Sequence, residues 1–379
     1  MKEDKNSYKP EWAPEEDHEA FASRVVKGNS QVKDGVDSPS PLNPSLPAGK
    51  RRRLSPEELE AGILKGDRTI LGRAITLVES NSLQHMQQAQ TLLQRLLPHT
   101  GRSVRIGVSG VPGAGKSTLI EALGVKLVKE GHKVAVLAID PSSQISGGSI
   151  LGDKTRMENL SRLPQSFIRP SPSGGTLGGV ARKTRETILL CEAAGFDVIL
   201  VETVGVGQSE TTVRSMVDFF LLVQLPGGGD ELQGIKKGVM EICDAVVVNK
   251  ADGDNKPRAE ASRQEYAMAL HYLAPATPGW ETPALTCSAI SGEGIDKIWE
   301  VVQKFVQITR QNGVFNKRRK EQIRDWLTDL VNEQLQQIFY NHPLVRQQLP
   351  NIEAKVLAGQ MPPTAAAQKL LELFQNKTD

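Results

Sequence analysis

The chain has 379 residues, of which 24% are charged, and its 46 basic and 44 acidic side chains leave a formal net charge of +2. Signs so closely balanced give no electrostatic case for nucleic acid as the main partner, and no run approaches the eighteen or so apolar residues that a membrane-spanning helix needs. No nucleic acid, no membrane and a cytoplasmic setting are therefore the expectations, and Cys191, Cys243 and Cys287, odd in number and widely spaced, are expected in the core rather than in a disulfide or metal framework.

Residues 1–53 are rich in Pro, Ser and charge and show no periodicity, the composition of an unpacked arm. Acidic residues recurring from Glu3 to Glu19 do not suit a mitochondrial presequence. Residues 54–101 read as a helical segment. Ser55-Pro56-Glu57-Glu58 has a capping Ser, a Pro suited to the first helical position and a Glu placed to close a capping box. Two more helices are predicted, one from about Asp67 to Glu79 and one from Leu83 to Leu97, before Pro98 and Gly101 break the pattern.

Residues 102–312 change to short apolar runs separated by helix-length segments, the signature of a mostly parallel sheet. Strands are predicted at Arg105–Ser109, Lys133–Ile139, Val198–Glu202, Phe219–Gln224, Ala245–Asn249 and Ala284–Cys287, with a closing helix from Gly294 to about Thr309. Residues 313–379 turn helical again. Ile323, Trp326, Leu327, Leu330, Val331, Leu335, Ile338 and Phe339 recur at three- and four-residue steps on one face, and the run Lys317-Arg318-Arg319-Lys320 reads as a solvated face of the same helix.

Gly110-Val111-Pro112-Gly113-Ala114-Gly115-Lys116-Ser117 is a complete phosphate-binding loop, set after a predicted strand and before a helix as its mechanism requires. Backbone N–H groups of Gly113, Ala114, Gly115, Lys116, Ser117 and Thr118 are expected to cradle phosphate oxygens. Lys116 would neutralise the β- and γ-phosphates and Ser117 would offer its hydroxyl to Mg²⁺. The fold class that follows is α/β: a three-layer P-loop NTPase domain with a mostly parallel sheet and helical extensions at both ends. Glu202 ends the buried run Val198-Ile199-Leu200-Val201 and takes the place of the usual strand-end Asp, beside the metal. Gly205, three residues on, would sense the γ-phosphate. Asp140 ends the second strand and Asp153 sits in the loop after it; both are candidate metal-shell carboxylates, in keeping with the preference of Mg²⁺ for hard oxygen ligands and retained waters. Lys116, Glu202 and Asp153 are the expected catalytic groups.

Asn249-Lys250-Ala251-Asp252 at the end of the fifth predicted strand matches N-K-x-D. The Asp252 carboxylate can accept the N1–H and exocyclic amine of guanine, a pairing adenine lacks, and Ser288-Ala289 matches the further base-contact element. GTP and GDP are the expected ligands. Val206 stands where many regulatory GTPases place a water-orienting Gln, with Gln208 nearby, and the glycine-laden stretch Gln224–Gly238 has the make-up of either a lid or flexible surface.

These motifs, with Gly66-Asp67-Arg68, Arg73–Ser80, Ala138–Ser143, Gly147–Met157 and Glu202–Glu210, resemble the MeaB/ArgK family of P-loop GTPases from about Leu54 onward. The resemblance implies a chaperone that uses GTP to gate cobalamin loading and to protect an adenosylcobalamin-dependent acyl-CoA mutase such as methylmalonyl-CoA mutase. It implies that Gly147–Met157, Thr203–Glu210 and Gln224–Gly238 are three nucleotide-responsive switches. It also implies that the C-terminal helices form a homodimer arm. Two alternatives carry less: a metallochaperone GTPase, against which stands the missing Cys- or His-rich tract, and an ATP-driven kinase linked to amino-acid transport, against which stands Asp252.

Overall fold

The computed structural model describes residues 54–139, 157–170, 177–203, 209–227 and 237–375. The expected arm 1–53, Asp140, Asp153, Gly205, Val206, Gln208 and most of the three switch stretches lie outside them.

The order begins with three helices, α1 (Pro56–Leu64), α2 (Arg68–Glu79) and α3 (Leu83–Leu96). Their starts follow local chemistry. Ser55 and Glu58 close the capping box in both directions, at 2.9 and 3.3 Å, and Asp67 accepts from the N–H groups of Thr69 and Ile70, satisfying donors that a helix end leaves orphaned. Then come β1 (Val104–Gly110), α4 (Lys116–Lys129), β2 (Val134–Ile139), α5 (Glu158–Ser161), β3 (Ser166–Arg169), α6 (Leu177–Ala193), β4 (Val198–Thr203), α7 (Ser209–Arg214), β5 (Phe219–Gln224), α8 (Lys237–Met240), β6 (Ala245–Val248), α9 (Lys256–His271), β7 (Ala284–Thr286), α10 (Ile295–Gln311), α11 (Val314–Asn341), α12 (Pro343–Leu357) and α13 (Pro363–Gln375).

The seven strands form one sheet in the order β3-β2-β4-β1-β5-β6-β7, every pairing parallel. Strands such as Val198–Thr203 and Phe219–Gln224 are buried at every residue, as a parallel sheet covered on both faces demands. One face packs against α1–α3, α6 and α9 through Leu71, Ile75, Leu92, Ile188 and Tyr266. The other packs against α4 and α10 through Leu119, Leu123, Ile298 and Phe305. The expected three layers are present. The six predicted strands occur within a residue or so of their expected bounds. β3 was not predicted: it is a four-residue edge strand whose burial alternates, with only Phe167 and Ile168 to signal it.

At the amino ends of the strands the structure corrects one expectation. Lys317 and Lys320 are exposed, but Arg318 and Arg319 are not on a solvated face. Arg319 donates to both oxygens of the buried Asp218, at 2.6 and 2.7 Å, and to the carbonyls of Gly101 and Ser103 at 2.6 Å. Arg318 donates to Asp218 O and to Thr277 and lies beside the buried Asp244, which Arg214 approaches to 3.2 Å. Arg105 adds a further ion pair, with Glu192 at 2.9 Å. The basic run thus fastens α11 to the sheet domain.

Candidate functional site

β1 delivers the loop 110–117 at the carboxyl end of the sheet, where the strand order places β4 on one side of β1 and β5 on the other, the position at which open α/β sheets bind ligands. Gly110 has φ 153°, and a Cβ there would lie 2.0 Å from Val223 O, so only glycine lets the loop leave β1 this close to β5. Gly115 caps α4 at φ 81°. The first N–H groups of α4, from Lys116 through Ser117 and Thr118, have no intrahelical acceptor and lie at the positive end of the helix dipole, which makes them anion donors.

The Lys116 ammonium is folded back over the loop, donating to Gly110 O at 2.9 Å and Val111 O at 3.2 Å. Burial lowers its pKa below the ordinary lysine value, against the opposing pull of Glu202 and Glu210. Ser117 Oγ donates to Glu202 Oε1 at 2.8 Å, and Glu202 is 5% exposed. The two groups assigned to the metal from sequence therefore meet. A hydroxyl and a carboxylate oxygen at hydrogen-bond distance beside a phosphate cradle are hard donors of the kind Mg²⁺ takes, one or two from protein and the rest from phosphate and water. The site fits that ion. Among the described residues no three His, Cys, Asp or Glu gather as an all-protein cage.

The candidate base-recognition residues lie on the loops that leave β6 and β7. The Asn249 side chain, grouped with the base contacts in the sequence, is used as a brace. Its Nδ2 donates to Ala114 O at 2.8 Å, and its Oδ1 accepts from Ala289 N at 3.1 Å and from Cys287 Sγ at 3.4 Å. It ties the phosphate loop to the Ser288-Ala289 element. Lys250 has φ 60° and is the one non-glycine residue with positive φ among those described, a conformation that costs energy and clusters at functional sites. Asp252 Oδ2 accepts from Ser288 Oγ, and Ala251 N donates to Cys287 O at 2.9 Å, so the two base-contact elements are joined directly.

Two groups at the ends of the stretch Thr203–Glu210, to which the sequence reading gave no role of their own, stand out. Thr203 Oγ1 donates to Ser109 Oγ at 2.9 Å with both residues fully buried. Strand parity was the available signal, since it puts Ser109 and Thr203 on the face opposite Glu202. Glu210 at the start of α7 is also buried and acts electrostatically on Lys116. The three cysteines are free and buried, and burial pushes the Cys243 and Cys287 thiols up to about 12, which leaves them without thiolate chemistry at neutral pH.

A family model described as methylmalonyl-CoA mutase-associated GTPase MeaB matches residues 71–343. The chain belongs to the MeaB family of GTPases. A relative from Caulobacter vibrioides is 55% identical, covering 85% of this chain and 98% of its own. GTPase ArgK of Escherichia coli is 46% identical over 83% of this chain and 95% of its own. The mitochondrial methylmalonic aciduria type A homolog of mouse is 46% identical over 85% and 80%. A solved structure titled LAO/AO transport system kinase superposes with a TM-score of 0.69 at 38% identity, covering 85% of this chain and 98% of that one. As a MeaB-family member the chain is a GTPase that binds guanine nucleotide on a P-loop fold. Among the described residues no helix is long and apolar enough to cross a membrane.

Proposed function

We propose that this GTPase is the GTP-driven chaperone of an adenosylcobalamin-dependent acyl-CoA mutase, methylmalonyl-CoA mutase being the leading candidate, and that it gates cobalamin loading and protects that enzyme in the cytoplasm. The observation that carries the partner is the family model, whose description names methylmalonyl-CoA mutase; the mouse relative's name supports it. The bacterial relatives support the compartment.

In the proposed chemistry the N–H groups of Gly113 to Thr118 hold the phosphates, Lys116 turns from its loop carbonyls to neutralise the β- and γ-phosphates, and the Gly205 N–H takes a γ-oxygen. Ser117 and Glu202, with Asp140 and Asp153, would hold Mg²⁺, which would supply positive charge against the negative charge that develops on the phosphate oxygens. Asp252 reads the guanine edge, with Ser288 and Ala289 closing the base end, Asn249 bracing both halves and Lys250 shaping the turn between them. Guanine reading by Asp252 speaks against an ATP-driven kinase. With Val206 where a water-orienting Gln often stands, basal hydrolysis is slow; even Ras, which has the Gln, turns over at about 10⁻⁴ s⁻¹ without its partner.

The proposed division runs 1–53, 54–101, 102–312 and 313–379, the last being a homodimer arm. Its support is the exposure on α11 of Ile323, Leu327, Val331, Leu335 and Ile338, with Trp326 turned back onto Arg185 and Phe339 against Phe374.

The test is affinity capture from the source organism, with GTP analogue and with GDP, followed by single-turnover GTP hydrolysis with and without the captured apo-mutase. A B12-dependent acyl-CoA mutase whose retention depends on nucleotide and whose presence speeds hydrolysis is expected. A hydrolysis rate indifferent to every such mutase would sink the reading.

A further inference from the structure

The ladder between β1 and β4 stops just short of the two segments it feeds. Its last register pair is Val108 with Glu202. Beyond it β1 continues along β5, pairing Ser109 with Leu222 and Gly110 with Val223, while β4 stays with β2, pairing Thr203 with Ile139. A seam therefore opens between the strand that leads into the phosphate loop and the strand that leads into residues 204–208.

Side-chain bonds cross this seam on both faces of the sheet. On the α4 face Ser117 donates to Glu202. On the opposite face, shared with Val201 and Ile139, Thr203 donates to Ser109. The first bond joins groups that the proposed chemistry uses on the metal. The second joins the hydroxyls of two residues with no exposed surface.

We propose that Thr203 is a positioning residue for GTP hydrolysis, its hydroxyl bridge to Ser109 fixing the point at which the chain leaves β4 and hence where the residues after it meet the γ-phosphate. The inference rests on the reading of Lys116 and Ser117 as the phosphate site. Packing alone does not call for the bridge. Valine has nearly the shape of threonine, alanine nearly that of serine, and neither brings the desolvation cost of a buried hydroxyl. What a methyl group lacks is direction: the hydrogen bond sets both the strand separation and the Thr203 rotamer, and a small displacement next to reacting groups is expensive in rate. With the backbone ladder already ended, this bridge ties β1 to β4 by side chains where main-chain pairing no longer does.

The experiment compares Thr203→Val, Thr203→Ser, Ser109→Ala and the Ser109→Ala/Thr203→Val pair by single-turnover GTP hydrolysis, GTP affinity and melting temperature. Thr203→Val is expected to lower the rate about tenfold, to leave affinity within about twofold, and to lower the melting temperature because the Ser109 hydroxyl is stranded. Thr203→Ser keeps rate and stability. The double variant recovers stability, since both partners leave together, but not rate. Recovery of the rate along with stability in the double variant, or an unchanged rate in Thr203→Val, would overturn the proposal by making the bridge structural only. Lys116→Ala is run alongside. If it binds and hydrolyses GTP as the wild type does, the underlying phosphate-site reading has failed and the proposal with it, a result recognisable apart from the Thr203 series.

Discussion

The two ends of the sheet hold buried charge in opposite ways. At the amino ends of the strands Asp218, Asp244 and Glu192 are met by Arg319, Arg318, Arg214 and Arg105 and by backbone donors, including Arg105 N and Phe220 N. At the carboxyl ends Lys116 rests on two carbonyls of its own loop. Glu202 takes a serine hydroxyl, and Asp252 takes another. A carboxylate paired with a guanidinium is finished: its electrostatic need is met within the chain. At the carboxyl ends the hydrogen bonds run to neutral carbonyls and hydroxyls, with Glu202 and Glu210 acting on Lys116 through their charge and no guanidinium closing the group among the described residues, so capacity is kept for a charged or polar ligand. Lys116 and Glu202 are buried as Asp218, Asp244 and Glu192 are, Asp252 being half-buried, so for the buried groups the nature of the partner is what separates a weld from a site.

The sharpest way to break that comparison is to cut the weld. Arg319→Ala strands Asp218, 2% exposed at its side chain, as an unpaired buried charge, and a destabilisation of about 3–5 kcal/mol is expected, read by denaturant unfolding. GTP hydrolysis per folded molecule should survive at low temperature, because the lost contacts lie at the far end of the sheet. Cutting at the other end should do the reverse. Lys116→Ala is expected to lower turnover by about 10²–10³-fold while the unfolding midpoint holds or rises, since a partly desolvated cation has been removed; calorimetric titration with a non-hydrolysable GTP analogue and an unfolding curve give the two readouts. Asp252→Asn tests the base end. GTP affinity should fall about 10- to 100-fold as charge-assisted hydrogen bonds are lost, and xanthosine triphosphate, whose extra carbonyl prefers a donor, should gain. Equal losses for both nucleotides would show that Asp252 shapes the loop rather than reading the base.

The smallest effect concerns a charge that belongs to neither end. Burial pushes the Glu186 carboxyl on α6 up to about 7, against the pull of Arg182 and Lys183. The folded state thus holds this proton more tightly than the unfolded chain, whose glutamate titrates near 4.3. The stabilisation is fully present below that value and is lost as pH rises through about 7. Glu186→Gln should flatten that decline and gain on the order of 1 kcal/mol at pH 8, checked by melting temperature across pH. A wild type equally stable at pH 5 and pH 8 would contradict it.

Much of the carboxyl end was legible because its chemistry is written in contiguous residues. The loop 110–117, Asn249–Asp252 and the apolar strands announce themselves by local spacing, and caps such as Ser55 and Asp67 act within three residues. The amino end was not legible. Arg318 and Arg319 look like solvent-facing charges until the fold brings Asp218 and Asp244, many residues earlier, under α11. β3 was missed for a related reason, since a four-residue edge strand carries too little pattern to compete with its flanking loops. Asn249 was assigned to the base, and its ties to Ala114, Cys287 and Ala289 were not foreseen. Which of its neighbours a side chain touches depends on how two loops from different strands converge, and no spacing records that.

The Asn249 brace also bears on how such a protein can change over evolutionary time. One carboxamide holds the loop proposed to grip phosphate and the loop proposed to frame the base, so on that reading the two recognition tasks are coupled through it. A substitution at 249 cannot relax the choice of base while sparing the grip on phosphate. Asp252 and Ser288, bonded to each other, make no such tie to the phosphate loop among the described residues, so on the same reading a change of base preference is open there.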